Sequence, residues 1–174
     1  LLHGIGGGKE VWAANMPAFA QAGYRVLAWD VPGYGASGML DPYTNAALAQ
    51  ALERLIDHVG ARRNLLLGHS MGGMVAQEAM ALFPHKIHGL LLSGTSPSFG
   101  RAQGAWQQQF LQSRFAPLDA GLGMGALAEQ LVPGMMAPGA KAENLAAARA
   151  VMARVPEASY RAALSAIVSF NRLE

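Results

Sequence analysis

The residues best placed to do chemistry are Gly68-His69-Ser70-Met71-Gly72-Gly73, which follow the apolar run Asn64 to Leu67 and lead into a helical pattern. A serine between glycines at a strand-to-helix turn carries its hydroxyl at the apex of a sharp reversal, the arrangement of a nucleophile elbow. Such a reversal strains the apex backbone, and the neighbours two positions away must lack bulk. Gly68 and Gly72 meet that need. The chemistry on offer is attack by the Ser70 hydroxyl on an acyl carbon. The next amide N–H, that of Met71, lies at a helix N-terminus, where developing negative charge is stabilised.

Two glycine-bearing loops accompany the elbow. His3-Gly4-Ile5-Gly6-Gly7-Gly8, followed by Trp12, sits at the exit of a short apolar segment, Leu1-Leu2. A loop of this kind can turn a backbone N–H toward the serine, and Ile5 is the candidate second oxyanion donor beside Met71. A phosphate-cradling loop is the competing reading; no Gly-Lys-Ser/Thr follows, and Lys9 opens no Walker pattern. The second loop, Asp30-Val31-Pro32-Gly33-Tyr34-Gly35-Ala36-Ser37, reads as a shaped turn in which Asp30 ties down backbone amides, a structural role.

The elements that position these loops alternate. Leu1-Leu2 ends a first strand, and Val11 to Ala22 reads as a helix. Tyr24 to Val31 is a second strand, and Thr44 to Val59 a helix with Thr44 as N-cap. Asn64 to Leu67 is a third strand, Met71 to Phe83 the helix after the elbow, and Ile87 to Ser93 a fourth strand. Strands nearly continuous in apolar residues and separated by helices describe an α/β protein, the central part of a doubly wound parallel sheet with about four strands visible. Beyond Arg101 only helical patterns occur: Trp106 to Phe115, Met124 to Leu131, Glu143 to Arg154 and Glu157 to Phe170, jointed at Ala116-Pro117, Pro133-Gly134, Pro138-Gly139 and Pro156. The expected organisation is a partial core over residues 1–96 and a helical cap over residues 97–174.

Composition narrows the partners. The 174 residues are 52% hydrophobic and 14% charged, enough for one sizeable core. Net charge is +2 and the basic residues are scattered, with Arg62-Arg63 the one adjacent pair, which argues against nucleic acid. No apolar run reaches the length of a membrane span, so no membrane partner is expected. There is no cysteine, which removes disulfides, thiol nucleophiles and thiolate metal sites and is compatible with a cytoplasmic setting.

Taken in this order, the His-Gly loop, the Asp-x-Pro-Gly-x-Gly-x-Ser turn and Gly-x-Ser-x-Gly-Gly resemble the α/β-hydrolase fold superfamily over Leu1 to about Thr95. Within it the chain is similar to the serine-dependent branch of 3-oxoadipate enol-lactonases and small carboxylesterases. The resemblance implies that Ser70 is the nucleophile, that Ile5 and Met71 form the oxyanion hole through their N–H groups, and that His3, Gly4, Gly68, His69, Gly72 and Gly73 shape the elbow and loop. It implies a small ester or lactone substrate, no cofactor and no metal, a helical cap over the site, and strands in the lateral order second, first, third, fourth. Trp106, Phe110, Leu111, Phe115, Met124, Met135, Met136 and Met152 supply the cap's apolar surface, as a pocket roof or simply as packing.

The chain departs from the family pattern in its acid and base. His3 and His69 belong to the loop and elbow, His58 to a helix end, and His85 and His88 to the far end of the sheet. Asp119, Glu129, Glu143 and Glu157 read as solvated charges of the helical region. The expectation is therefore truncation at both ends, with acid and histidine outside this chain. Exposed apolar edges at Arg25 to Trp29 and Ile87 to Leu92 would then make the 174-residue chain poorly soluble and inactive. An acyltransferase, a carbon–carbon bond hydrolase, a perhydrolase and a non-catalytic ligand-binding protein remain open on the same scaffold. Relatives with a carboxylate at the elbow, haloalkane dehalogenases and epoxide hydrolases, are disfavoured by Ser70.

Overall fold

A computed structural model describes residues 1–101 and 103–173; Ala102 and Glu174, which the sequence assigns to the helical region, lie outside the described residues. Strand β1, Leu65–His69, and strand β2, Gly89–Ser93, pair in parallel with Leu65 opposite Gly89 and His69 opposite Ser93. Leu2 bridges Gly68 on one side and Trp29 on the other, both in parallel. The lateral order is the Trp29 segment, the Leu2 segment, β1, β2, which is the order expected.

Four full strands do not form among the described residues. The Tyr24 to Val31 segment, expected as a strand, makes one bridge at Trp29. It meets the Leu1-Leu2 segment beside it through two backbone hydrogen bonds. The Leu1 amino group donates to the Leu27 carbonyl at 2.7 Å and Trp29 N–H to the Leu1 carbonyl at 3.1 Å, which exhausts the ladder. The helix expected over Val11 to Ala22 is also split, into a 3-10 turn at Lys9–Trp12 and helix α1, Met16–Gln21. Pro17 explains the break: it has no N–H to donate four residues back, so the α-helix restarts around it.

Helix α2, Asn45–Val59, starts where the Thr44 hydroxyl accepts the Ala47 N–H at 3.1 Å and stops at Gly60. Its face of Leu48, Ala49, Leu52 and Ile56 is buried against helix α3, Met71–Leu82, which in turn packs on β1. Helix α3 is buried along its first two turns, Met71 to Ala76, and ends before Pro84.

Above this lie helices α4, Ala105–Asp119, α5, Gly123–Met135, α6, Ala142–Ala153, and α7, Glu157–Val168. Pro117 and Pro133, expected as joints, stand inside α4 and α5. Each falls in the last turn, where the missing N–H forfeits one bond near an end and leaves the helix body intact. One apolar cluster joins the two layers, from Leu2, Val31, Leu48 and Val75 to Leu127, Met152, Leu164 and Phe170. Polar clasps pin them as well. Ser159 Oγ donates to the Gly33 carbonyl at 2.6 Å and Asn45 Nδ2 to the Ala166 carbonyl at 2.7 Å. After α7 the chain returns to the exit of β2: Asn171 bridges Ser98, Arg172 N–H donates to the Pro97 carbonyl, and the Arg172 guanidinium forks onto Glu78 of α3.

The sheet's other face is open. Leu65 and Leu91 are exposed on it, and with Leu27 they line a cavity of about 480 Å³ also bounded by Phe19, Trp29, Leu55 and Leu67; Leu27, Leu91 and Leu92 are exposed within the segments expected as apolar edges. Among the described residues, no helix is long and apolar enough to cross a membrane.

Candidate active site

Ser70 stands between the last residue of β1 and the first of α3, with φ +52° and ψ −119°. Among the described residues it is the one non-glycine with left-handed φ. A conformation of this kind costs about 1–3 kcal/mol and persists only where the surroundings enforce it. They do: Ser70 N–H donates to the Ser93 carbonyl at 2.9 Å, and the Ser70 carbonyl accepts Gly73 N–H at 2.9 Å and Met74 N–H at 3.2 Å.

The flanking glycines permit the close approach. A Cβ on Gly68 would fall on the Gly72 carbonyl and 2.6 Å from Gly73 Cα, and one on Gly72 would strike the Leu2 carbonyl and lie 2.7 Å from that of His3. At Gly73 it would come within 2.5 Å of Thr95 Cγ2. The elbow and the first segment are thus in backbone contact, and the loop leaving β2 packs on the elbow through the Thr95 side chain.

The His3 loop meets the serine at Gly4, where a Cβ would lie 3.2 Å from Ser70 Cβ and 3.3 Å from His69 Cδ2. The next residue, Ile5, has a buried side chain and a carbonyl that accepts the Tyr34 hydroxyl at 2.9 Å. Neither Ile5 N–H nor Met71 N–H has an acceptor among the described residues. The Met71 N–H is free because it opens helix α3, where the first N–H groups have no intrahelical partner, and the Ile5 N–H belongs to the loop that meets Ser70 at Gly4. Helix α6 backs this loop, since Met152 Sδ lies 3.2 Å from where a Gly6 Cβ would stand.

His3 is wholly buried. Its Nε2 accepts Val31 N–H at 3.1 Å, and its Nδ1 is 2.8 Å from the Gly4 carbonyl. Burial pushes its pKa below the ordinary imidazole value, against weaker upward pulls from the Gly4 carbonyl, Asp30 and Glu10. Asp30 accepts Lys9 N–H at 2.8 Å and the Lys9 ammonium at 2.7 Å. Burial raises its carboxyl, but the Lys9 contacts together outweigh it and hold the pKa below the usual carboxylate value. Both side chains are therefore committed to holding backbone, as the sequence suggests, and the lysine partner of Asp30 was not foreseen.

Of the other histidines, His69 adjoins Ser70 and the remaining three lie away from it. His69 is exposed, with Nδ1 3.3 Å from Ser93 Oγ. His58 and His85 are exposed, and His88 is paired with Asn64 at the opposite end of β1. With a rise near 3.3 Å per residue, the six positions from Asn64 to Ser70 separate His88 from the serine by about 20 Å. Asp119 and Glu157 pair with Arg161, Glu129 with Arg149, and Glu143 with Lys141, all on the surface of the helical layer. Among the described residues, no three His, Asp or Glu side chains are grouped to hold a metal ion.

Of the apolar residues expected above the site, Met124 and Met152 are buried, and Phe110, Leu111, Phe115 and Met136 are partly so. Trp106 and Met135 face solvent, 58% and 59% exposed. Trp106 stacks on Phe110 from the outside of α4, at 5.5 Å between ring centroids, so the roof does not include it. Sequence reasoning also missed Tyr34 as the anchor of Ile5 and Arg172 as the partner of Glu78. A glutamate amid the apolar residues of α3 was the available signal for the second.

The chain belongs to the α/β hydrolase fold family, whose model matches residues 1–120. It is 41% identical over 106 residues to a pimeloyl-acyl-carrier-protein methyl ester esterase of Edwardsiella ictaluri, covering 61% of this chain and 39% of that protein. It is 38% identical over 99 residues to a 2-hydroxy-6-oxononadienedioate/2-hydroxy-6-oxononatrienedioate hydrolase of Paraburkholderia phymatum, covering 54% of this chain and 34% of the relative. The enol-lactonase of Burkholderia xenovorans superposes with a TM-score of 0.81 at 25% identity, over 98% of this chain and 63% of that one. The chain thus spans well under half the length of these curated relatives.

Proposed function

We propose that Ser70 is the nucleophile of a serine hydrolase acting on an ester or lactone of a small, largely apolar acid. The observation that carries this reading is the strained Ser70 at the N-terminus of α3 with the Gly4 backbone packed against its Cβ, while the neighbouring Met71 and Ile5 N–H groups have no acceptor among the described residues. A general base takes the Ser70 proton as Oγ bonds to the carbonyl carbon, and the carbonyl oxygen becomes an oxyanion received by the two amides. Collapse expels the alcohol or opens the lactone, the leaving oxygen taking the proton from the base. Water, deprotonated by the same base, then attacks the acyl-enzyme and releases the acid and Ser70. One oxyanion donor is worth about 2.7–4 kcal/mol of barrier.

The base and its carboxylate partner come, in this reading, from polypeptide outside residues 1–174, since His3 is committed to backbone, His58, His85 and His88 are away from Ser70, and His69 turns its Nδ1 to Ser93 Oγ. The helical region over residues 97–174 serves as the cap, with α6 seated on the oxyanion loop through Met152. The likeness to an ester esterase and an enol-lactonase supports the substrate class. No cofactor enters the mechanism.

The test is turnover by the natural gene product of a panel of short-chain aryl esters and small lactones. The expected result is ester or lactone cleavage that falls on the order of a million-fold in Ser70→Ala. Activity that survives Ser70→Ala would overturn the assignment, and an intact fold without turnover would favour a binding protein.

A further inference from the structure

We propose that His3 is a positioning residue: as the neutral Nδ1–H tautomer, it fixes the peptide plane between Gly4 and Ile5 and so aims the Ile5 N–H at the oxyanion. The inference rests on the reading of Ser70 as nucleophile.

In a trans peptide the carbonyl oxygen and the following N–H point in opposite directions. Holding the Gly4 oxygen therefore holds the Ile5 N–H. The Gly4 oxygen has two donors, Gly7 N–H at 2.9 Å and His3 Nδ1 at 2.8 Å. The first alone is a turn within a glycine-rich stretch that has little conformational preference of its own. The imidazole is the rigid member, being fully buried with its ring centroid 4.9 Å from that of Tyr34.

The tautomer follows from the opposite edge of the ring. Val31 N–H can only donate, so Nε2, 3.1 Å away, must carry the lone pair. The proton is then on Nδ1, facing the Gly4 oxygen. The other tautomer would set N–H against N–H at Val31 and lone pair against lone pair at Gly4. Asp30 and Glu10 are the charged groups that favour an imidazolium, and Lys9 offsets Asp30. An imidazolium would in any case break the Val31 bond. Tyr34 completes the clamp by holding the Ile5 oxygen, so the carbonyls on both sides of the Ile5 N–H are pinned while that N–H has no acceptor among the described residues.

Two substitutions separate aiming from packing. Asn at position 3 can place a donor near the Nδ1 position but has nothing at Nε2, whereas Gln can reach Val31 but presents no donor to Gly4. The natural gene product, H3N and H3Q are compared in Ser70 labelling rate by a fluorophosphonate, in kcat and KM on one ester, and in thermal melting. We expect H3Q to lose about 100-fold in labelling rate and kcat, the scale of one misdirected oxyanion donor, with KM little changed and H3N retaining most of the rate. Rates that follow thermal stability alone, or H3Q as fast as the unmodified protein, would overturn the proposal. Long-range 15N NMR of the unmodified protein reads the tautomer without any variant; an Nε2–H or doubly protonated His3 at neutral pH would also overturn it. No labelling of Ser70 in the unmodified protein would sink the nucleophile assignment itself, so the two failures are distinguishable.

Discussion

A methyl group added at Gly68, Gly72 or Gly73 would meet other atoms at under 3 Å, whereas one added at Gly121, Gly123, Gly125, Gly134 or Gly139 would meet nothing within 4 Å. The first set lies at the elbow, where its backbone touches that of the Leu2-His3 segment and the Thr95 side chain closes on it; the second lies in the helical layer, where helices meet through side chains. At the elbow, residue identity is dictated by backbone geometry, and a short motif therefore carries structural information. In the helical layer many sequences satisfy the same helices, and similar glycines carry almost none.

Gly72→Ala should break the elbow most severely, because its Cβ meets the Leu2 and His3 carbonyls, which cannot step aside as a flexible side chain could. A loss of about 3 kcal/mol or more in urea unfolding is expected; a loss below about 1 kcal/mol would show that the close backbone contact is not constraining. Next in size is the fork that ties the end of the helical layer to α3. Arg172→Ala leaves the buried Glu78 carboxylate without its partner. Since the Arg172 side chain is 36% exposed, solvent screening reduces the full buried-pair cost to about 1–2 kcal/mol. Restoration of stability by Glu78→Gln in that background would confirm the pairing in a double-mutant cycle, and simple additivity would contradict it.

A smaller effect comes from pH. Asp30 has its folded pKa below the unfolded value of 3.8, so its contribution is complete above about pH 4 and is lost as pH falls through the folded pKa. Asp30→Asn should lower stability at pH 7 and flatten the acid limb of the stability profile; an unchanged slope below pH 4 would remove Asp30 and Lys9 from the account. The smallest effect has the opposite sign. Gly125→Ala, exposed in α5, should stabilise by about 0.5 kcal/mol through helix propensity. A loss there would mean that the helical layer is as tightly constrained as the elbow.

The same contrast marks what could be read from sequence. Ser70 and its glycines, the His3-Gly4 loop and the Thr44 cap were legible because each follows from a local rule or a motif of fixed spacing, while the lateral order of the segments was legible only through the family resemblance those motifs carry. The split around Pro17 and the persistence of α4 and α5 through Pro117 and Pro133 were not, because a proline's effect depends on how near a helix end it falls. The long-range polar pairs, Tyr34 with Ile5, Lys9 with Asp30 and Arg172 with Glu78, leave no local periodic trace. Nor does exposure within the helical layer: Trp106 and Met135 look like roof residues by type, and only packing shows them outside.

The most direct test of the central claim is peptide mapping by mass spectrometry of the natural gene product after exposure to a fluorophosphonate. A single adduct on Ser70 is the predicted result. An adduct on another residue, or none on a folded protein, would contradict the assignment of Ser70 as the nucleophile.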